Sequence, residues 1–444
     1  MVRPYVSEGR MQRAVILLPL SLGAILFLAA GRAGVGAQST ATGRDTSAVP
    51  AAQSMTLNLA ECLQLASQRQ PRVAAQRASL AAAEDGSQAL ENLQIPTVLV
   101  PDLPFRRKQA ALGVSAAAAG VEQAEHEAAY AVTRTYFTVL YAREQERVAQ
   151  SIAERLTATR DSAKRSLDAG ARDVSAADVN RASIFLNLAR TRRTQAGHGV
   201  KRALVALKEA IGLRPEEGLE VPASPLPDVD VRPARAEIVA QAVSRRAELI
   251  RAGVLVDVTC LEADAQGTSH HKRVETFAAG SDIHGVQVPQ GIQNTEYRPG
   301  AVPPEMPSLL VGSRADRVKR AQSFHARAQA VAETAHNLVV LEAEDAFLRW
   351  EEASLQIPEA REATNASEKL ADDVSKDFTA GLRVKVEDVI NARVLASQAR
   401  VQFNDFLYRQ ILALADLERI TGGAFNPRLA EAVPAQRAAA PGQR

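Results

Sequence analysis

The sequence predicts a mainly α protein built from long antiparallel coiled-coil hairpins in two tandem repeats, with little β-structure and at most one short strand pair per protomer. Three observations carry this. The phrase "DAGARDVSAADVNRA" at 168–182 returns in altered form as "TAGLRVKVEDVINAR" at 379–393. No Pro occurs from Phe105 to Arg214, and helix formers dominate that stretch. Aromatic residues make up only 4% of the chain while Ala recurs throughout, which suits thin helix–helix seams better than one thick core.

The repeated phrase sets a register. Gly170 and Gly381 are 211 residues apart, as are Tyr136 and Phe347; Asp178 and Asp388 are 210 apart, as are Gly212 and Gly422. A fixed-period match over so long a stretch marks an internal duplication. At the start of each copy "LAECLQLASQRQPRV" resembles "AEIVAQAVSRRAELI", aligning Pro71 with Ala247 at a separation of 176. The second copy therefore holds 35 residues that the first lacks. The expected boundaries are a first repeat at 56–213 with its hairpin tip near 168–178, a Pro-rich linker with no apolar period at 214–235, and a second repeat at 236–425 with its tip near 379–388. The extra residues fall in an irregular or β insert at 266–312, where "RVETFAA" and "DIHGVQV" alternate weakly as short strands would. The matching tract of the first copy, "IPTVLVPDLPFR", carries Pro96, Pro101 and Pro104 and has no room for a strand pair. The tail at 426–444 is rich in Pro and Ala and reads as disordered.

A helix from Arg107 to about Asp168 would be roughly 90 Å long, more than a globular domain can wrap. From Val121 to Leu156 mostly small residues step by three and four in unbroken heptads, and Val132, Tyr136, Val139 and Leu140 form a second seam beside them. The second copy places Leu341, Leu348 and Leu355 seven apart, and Val339, Ala346 and Ala353 likewise. A helix with two apolar seams has a neighbour on each side. Spacing alone leaves a helical cylinder and a plain helical bundle equally open. Gly170 and Gly381 are suited to end a helix in the left-handed conformation. Asp178 and Asp388 fall near the start of the returning helix, where a carboxylate meets the positive end of the dipole.

At the N-terminus Arg3, Arg10 and Arg13 precede "AVILLPLSLGAILFLAAG", and Val35 and Ala37 stand at the −3 and −1 positions of a cleavage site. This predicts a secretory signal peptide at 1–37 followed by a disordered leader at 38–55. The alternative is an uncleaved anchor, because the apolar run is near the lower limit for a spanning helix. Cys62 and Cys260 each lie in an apolar helical pattern and are expected as two buried free thiols rather than a bridge. A net charge of +2 gives no reason to expect nucleic acid. His270, His271, Asp282 and His284 lack the spacing of a metal site, and no phosphate loop, nucleophile elbow or catalytic carboxylate pair is present, so neither an enzyme nor a cofactor is expected.

Over about residues 56–425 the chain resembles the TolC family of outer-membrane efflux proteins. The resemblance rests on "LNLAECLQLASQRQPRVAAQRASLAAAE", on "PFRRKQAALGVSAAAAGVEQAE", and on the two Gly…Asp-Val…Ala turns. It implies a homotrimer in the outer membrane and periplasm, with a helical tunnel and one shared β-barrel to which each protomer gives four strands. It also implies a periplasmic adaptor (membrane fusion) protein and an inner-membrane pump as partners, in efflux or type I secretion, with outer-membrane lipid around the barrel. The adaptor-docking tip would be Gly170, Asp178, Gly381 and Asp388, with Asp388 near the tunnel entrance. Two departures stand out: the first strand pair is missing, and the Gly-to-Asp spacings of eight and seven exceed the family pattern by one or two. The alternative is a periplasmic coiled-coil protein of the same fold that forms no membrane pore.

Overall fold

Duplication demands that each helix of one copy have a counterpart of similar length in the other. The computed structural model describes residues 55–171, 174–270, 273–275, 309–382 and 384–432. The expected signal peptide, the leader up to residue 54, the "DIHGVQV" strand and the tail beyond 432 lie outside the described residues. In chain order the elements are β1 (Met55–Thr56), α1 (Leu59–Arg69), α2 (Pro71–Glu91), α3 (Leu103–Asp168), α4 (Ala176–Ile211), β2 (Leu219–Glu220), α5 (Arg235–Arg245), α6 (Ala247–Thr268), β3 (Arg273–Glu275), β4 (Leu309–Val311), α7 (Arg314–Thr379), α8 (Val386–Ile420) and α9 (Leu429–Ala432). The counterparts match: α1 and α5 have 11 residues each, α2 and α6 have 21 and 22, α3 and α7 have 66 each, and α4 and α8 have 36 and 35. At 1.5 Å per residue, α3 and α7 are each about 100 Å long.

Local chemistry fixes the ends. Asn58 caps α1 by accepting from the Glu61 N–H at 2.9 Å, and Glu61 accepts from the Asn58 N–H at 2.7 Å. Pro71 opens α2 at a position that needs no N–H. Ser313 and Asp316 form the same reciprocal box at the start of α7. Gly212 and Gly422, with φ of +82° and +58°, end the returning helices. A Cβ at Gly212 would lie 2.7 Å from the Arg69 carbonyl oxygen, and one at Gly422 would lie 3.3 Å from Arg245 Cβ. Each returning helix thus stops against the joint between the two short helices of its own repeat. Helix α7 runs on through Pro358, whose missing N–H costs one helical hydrogen bond.

Across the layer the long helices lie in the order α4, α3, α8, α7, with α2 and α6 flanking α3. The repeats join where α3 meets α8. Tyr141 stacks on Tyr408 with centroids 4.5 Å apart, and the Thr138 and Tyr408 hydroxyls are 2.7 Å apart. Val132, Tyr136, Val139 and Leu140 share one buried core with Leu407, Ile411, Leu414 and Leu417, so the second seam of α3 is an interior one. Burying each of the larger side chains contributes about 1.5–3 kcal/mol. On α7, Val339, Ala346 and Ala353 are buried, whereas Leu341, Leu348 and Leu355 are exposed.

Several expectations need correction. Cys62 is buried, and burial pushes its thiol up to about 12; Cys260 is exposed, because α6 turns Val258, Thr259 and Glu262 inward and so faces residue 260 out. The linker is not free of pattern. Leu219, Val221, Leu226 and Val229 are buried along an extended path, and Arg143 donates to the Val221 carbonyl at 2.5 Å and the Pro222 carbonyl at 3.2 Å. Met55, the last residue of the expected leader, belongs to β1, which pairs in parallel with β2. In the expected tail, α9 is helical and Leu429 is buried.

Between α2 and α3, residues 92–102 hold no strand, only irregular backbone with turns at 97–99 and 101–102. In the second copy β3 and β4 pair antiparallel over three residues each. A buried polar chain fastens this end. Glu262 accepts from Arg106, from Gln109 Nε2 at 3.0 Å and from Gln266 Nε2 at 2.7 Å. Buried Arg317 donates to Gln266 Oε1 at 3.0 Å, the Gly312 carbonyl at 2.9 Å and the Ser269 carbonyl at 3.0 Å. Removing the carboxylate by Glu262→Ala would leave its donors stranded, at an expected cost of about 3–5 kcal/mol. A denaturant melt showing no loss of stability would contradict that role.

Candidate functional site at the paired turns

A helix whose cap residue is followed by Gly can close with two backbone bonds, and both long helices do so, with Ala169 and Ala380 as the caps. After α3, the Ala171 N–H donates to the Ser166 carbonyl at 3.0 Å and the Gly170 N–H to the Leu167 carbonyl at 2.9 Å. After α7, the Leu382 N–H donates to Asp377 at 3.0 Å and the Gly381 N–H to Phe378 at 3.3 Å. These are two copies of the Schellman closure. Gly170 and Gly381 have φ of +74° and +68°, and a Cβ at either would meet nothing within 4 Å. Glycine is therefore required by backbone conformation, not by space.

The returning helices begin with carboxylates at their third position. The Asp178 N–H donates to Ser175 Oγ at 3.3 Å, while Asp178 Oδ2 accepts from the Ser175 N–H at 3.0 Å and from Ser175 Oγ at 2.6 Å. The Ser175 hydroxyl and N–H hold the Asp178 carboxyl below its ordinary value of 3.8. In the second turn Asp388 Oδ2 accepts from the Lys385 N–H at 3.1 Å. A lysine side chain has nothing to accept with, so this box is only half made.

The two turns lie side by side. Val174 and Val386, just before the returning helices or at their start, are buried in one cluster with Leu156, Ala182, Leu186 and Ile390. Arg181 on α4 pairs with Glu387 on α8. All four residues expected at the tip, Gly170, Asp178, Gly381 and Asp388, thus lie at one end of the helical layer. Ser175, Lys385, Arg181 and Glu387 were not expected there. Ser175 was readable, since Ser-x-x-Asp before a helix is a cap signature; the Arg181–Glu387 pair joins different helices and leaves no local trace.

Nothing at the turns is arranged for bond chemistry. Elsewhere, a cleft of about 440 Å³ near His126 and Arg246 is bordered by an ion-pair network. Glu342 accepts from Arg246 at 2.9 Å and from Arg419 at 2.5 Å, and Arg419 also donates to Asp416 at 2.7 Å. This network ties α6, α7 and α8 together and has the character of a brace. Among the described residues no group of His, Cys, Asp and Glu is placed to hold a metal ion, and His271, Asp282 and His284 lie outside them. Among the described residues no helix is long and apolar enough to cross a membrane.

Solved structures share this arrangement of helices over most of the chain. The outer-membrane channel OprN superimposes with a TM-score of 0.66 at 17% identity, over 83% of this chain and 90% of that one. The open-state outer-membrane channel MtrE of Neisseria gonorrhoeae gives 0.64 at 16% identity, over 83% and 90%. The outer-membrane protein VceC of Vibrio cholerae gives 0.63 at 12% identity, over 83% and 97%. This is the fold of the TolC-family outer-membrane channels. No protein-family model and no curated protein matches the sequence itself. The TolC-like fold accounts for the equal hairpins and the paired turns, and none of these neighbours is described as an enzyme.

The carboxyl of Asp178 has a lower pKa folded than unfolded, so its contribution to stability is present above 3.8 and fades as pH falls through the folded value. Asp178→Asn is expected to be less stable than the parent at pH 7 and to converge with it in acid. Melting both proteins across that range checks this, and a pH-independent difference would refute it.

Proposed function

We propose that this chain is the outer-membrane channel component of a tripartite efflux or type I secretion system. Three copies would form a periplasmic tunnel after export through a cleaved signal peptide. The turns at Gly170, Asp178, Gly381 and Asp388 would dock a periplasmic adaptor, itself joined to an inner-membrane pump. The supporting observation is that the layer of helices is apolar at both of its edges. On α7, Leu341, Leu348 and Leu355 are 41%, 49% and 69% exposed; on α4, at the other edge, Ile184 and Leu188 are also exposed. A layer with two different apolar edges closes by placing one edge against the other edge of the next copy, which gives a ring. The TolC-like fold supports the same reading.

In mild detergent the chain is expected to be a trimer by light scattering, and Leu348→Asp with Leu355→Asp to yield monomer. A monodisperse parent monomer at micromolar concentration would overturn the ring.

The turns at 92–102, with no strand, favour a second reading, a tube of this fold that forms no membrane pore. Conductance in planar bilayers separates the two. Stable pores of trimer size support the channel, and a folded trimer that never conducts supports the tube.

Replacing Gly170 and Gly381 together by Val imposes positive φ on a side chain, at about 1–2 kcal/mol per site. Adaptor cross-linking and export are expected to fall while the trimer persists. Unchanged export would remove the turns from the docking site.

A further inference from the structure

Two neighbouring helices carry the same pattern of arginine and serine. On α8 Arg393, Ser397 and Arg400 recur at i, i+4 and i+7, and on α3 Arg147, Ser151 and Arg155 recur at i, i+4 and i+8, so each helix shows Arg, Ser and Arg along one side. The two stripes line one cleft of about 320 Å³, to which α7 adds Glu368. At this level α8 comes close to α7 because the contact is made by Ala392, Ala396 and Ala371. Three of the four arginines have a carboxylate. Arg147 donates to Glu144 at 2.6 Å and Arg400 to Glu368 at 2.7 Å, and Arg155 lies 3.5 Å from Asp372.

With Glu144, Glu368 and Asp372 each taken by another arginine, Arg393 is left over. Among the described residues it makes no ion pair: its guanidinium donates to Ser375 Oγ at 2.6 Å, and its Nε is buried with no acceptor. Burial pushes the Arg393 guanidinium down from its ordinary value, and Arg155 adds to this against the pull of Asp372. The Ser151 and Ser397 hydroxyls also have no hydrogen-bond partner among the described residues, whereas Ser183 and Thr191 on α4 donate theirs to the carbonyls four residues back. The cleft therefore holds one cation in excess and three donors without acceptors. A guanidinium edge flanked by hydroxyls matches the oxygens of a phosphate or carboxylate group. Arg155 is able to join it, because its own pair with Asp372 is exposed and adds little stability.

We infer that this cleft binds a small oxyanion, a phosphate or carboxylate group held by Arg393 and Arg155 and by the Ser151 and Ser397 hydroxyls. Arg155 stands 13 residues before the end of α3 and Arg393 seven after the start of α8, about 20 Å and 10 Å from the paired turns. The occupant joins the first repeat to the second near those turns, where only the Val174–Val386 cluster and the Arg181–Glu387 pair otherwise do so. The site lies within one protomer and requires neither a ring nor a pore.

The test uses the full chain in mild detergent at constant ionic strength. Binding of radiolabelled inorganic phosphate and of radiolabelled acetate is measured by equilibrium dialysis, and melting is followed as each replaces chloride. The parent is expected to bind at least one of the two saturably, at one site per chain. Stronger binding of phosphate identifies a phosphoryl ligand, and stronger binding of acetate a carboxylate one. Arg393→Gln is expected to weaken binding about tenfold or more, as loss of a charge-assisted contact does, with helicity unchanged. Arg155→Gln, at an exposed position that folding does not need, is expected to weaken it as well and carries the test if Arg393→Gln does not fold. Lys108→Gln, outside the cleft, is expected to bind as the parent does. Phosphate also raises melting temperatures by exclusion from protein surfaces, so only the part of the rise that Arg393→Gln or Arg155→Gln removes counts for the site. No saturable binding of either anion overturns the inference, as does binding that both arginine variants retain in full.

Discussion

A helix of 66 residues has no interior of its own, and everything else in this molecule follows from covering α3 along its whole length. Its first half is flanked by α2 and α6, and its second by α4 and α8. Short helices and long returning helices therefore have to meet end to end beside it, and they do so at Gly212 and Gly422. Those joints admit no side chain at Gly212 and little at Gly422. The tyrosine stack between α3 and α8 then fastens one repeat to the other. Small residues make this feasible, since Ala-rich faces let long helices approach without the volume that Leu or Phe would require.

The same requirement leaves the protomer unfinished. Covering α3 on both sides uses up α4 and α8, and α7, packed on α5, α6 and α8, still leaves Leu341, Leu348 and Leu355 exposed. The apolar positions left over at the edges are thus a product of the layer itself. The polar contacts are concentrated at the two ends: the Arg106–Glu262–Gln266–Arg317 chain at one, and the caps and the Arg181–Glu387 pair at the other.

Much of this was legible in the sequence because the duplication gave two readings of every feature. Pro71 and Ala247 do open equivalent helices, and Gly170 and Gly381 do take the left-handed conformation. What was hidden depended on partners distant in the chain. The linker looked patternless because its apolar residues alternate between prolines, and only Arg143, some 80 residues earlier in the chain, shows why that path is fixed. Cys260 looked buried because its neighbours are apolar, yet which face of α6 turns inward is set by Gln109 and Arg106 on α3. At the turns the glycines and aspartates were visible, whereas Arg181 and Glu387 were only two more surface charges until the helices stood side by side.

The equality of α3 and α7 makes the two helices a matched pair of rulers. Both are set at their starts by the polar chain around Glu262, and both are read at their ends by a glycine. Removing one heptad from α3 alone would draw its turn back by about 10 Å while the other stayed in place. Val174 would then lose Val386 and Arg181 would lose Glu387, although every residue of the tip was still present. Length drift in one repeat is thus tolerable only when the other repeat drifts with it. In chain order the residues between β3 and β4 fall outside both rulers, so a change in their number alters the length of neither helix.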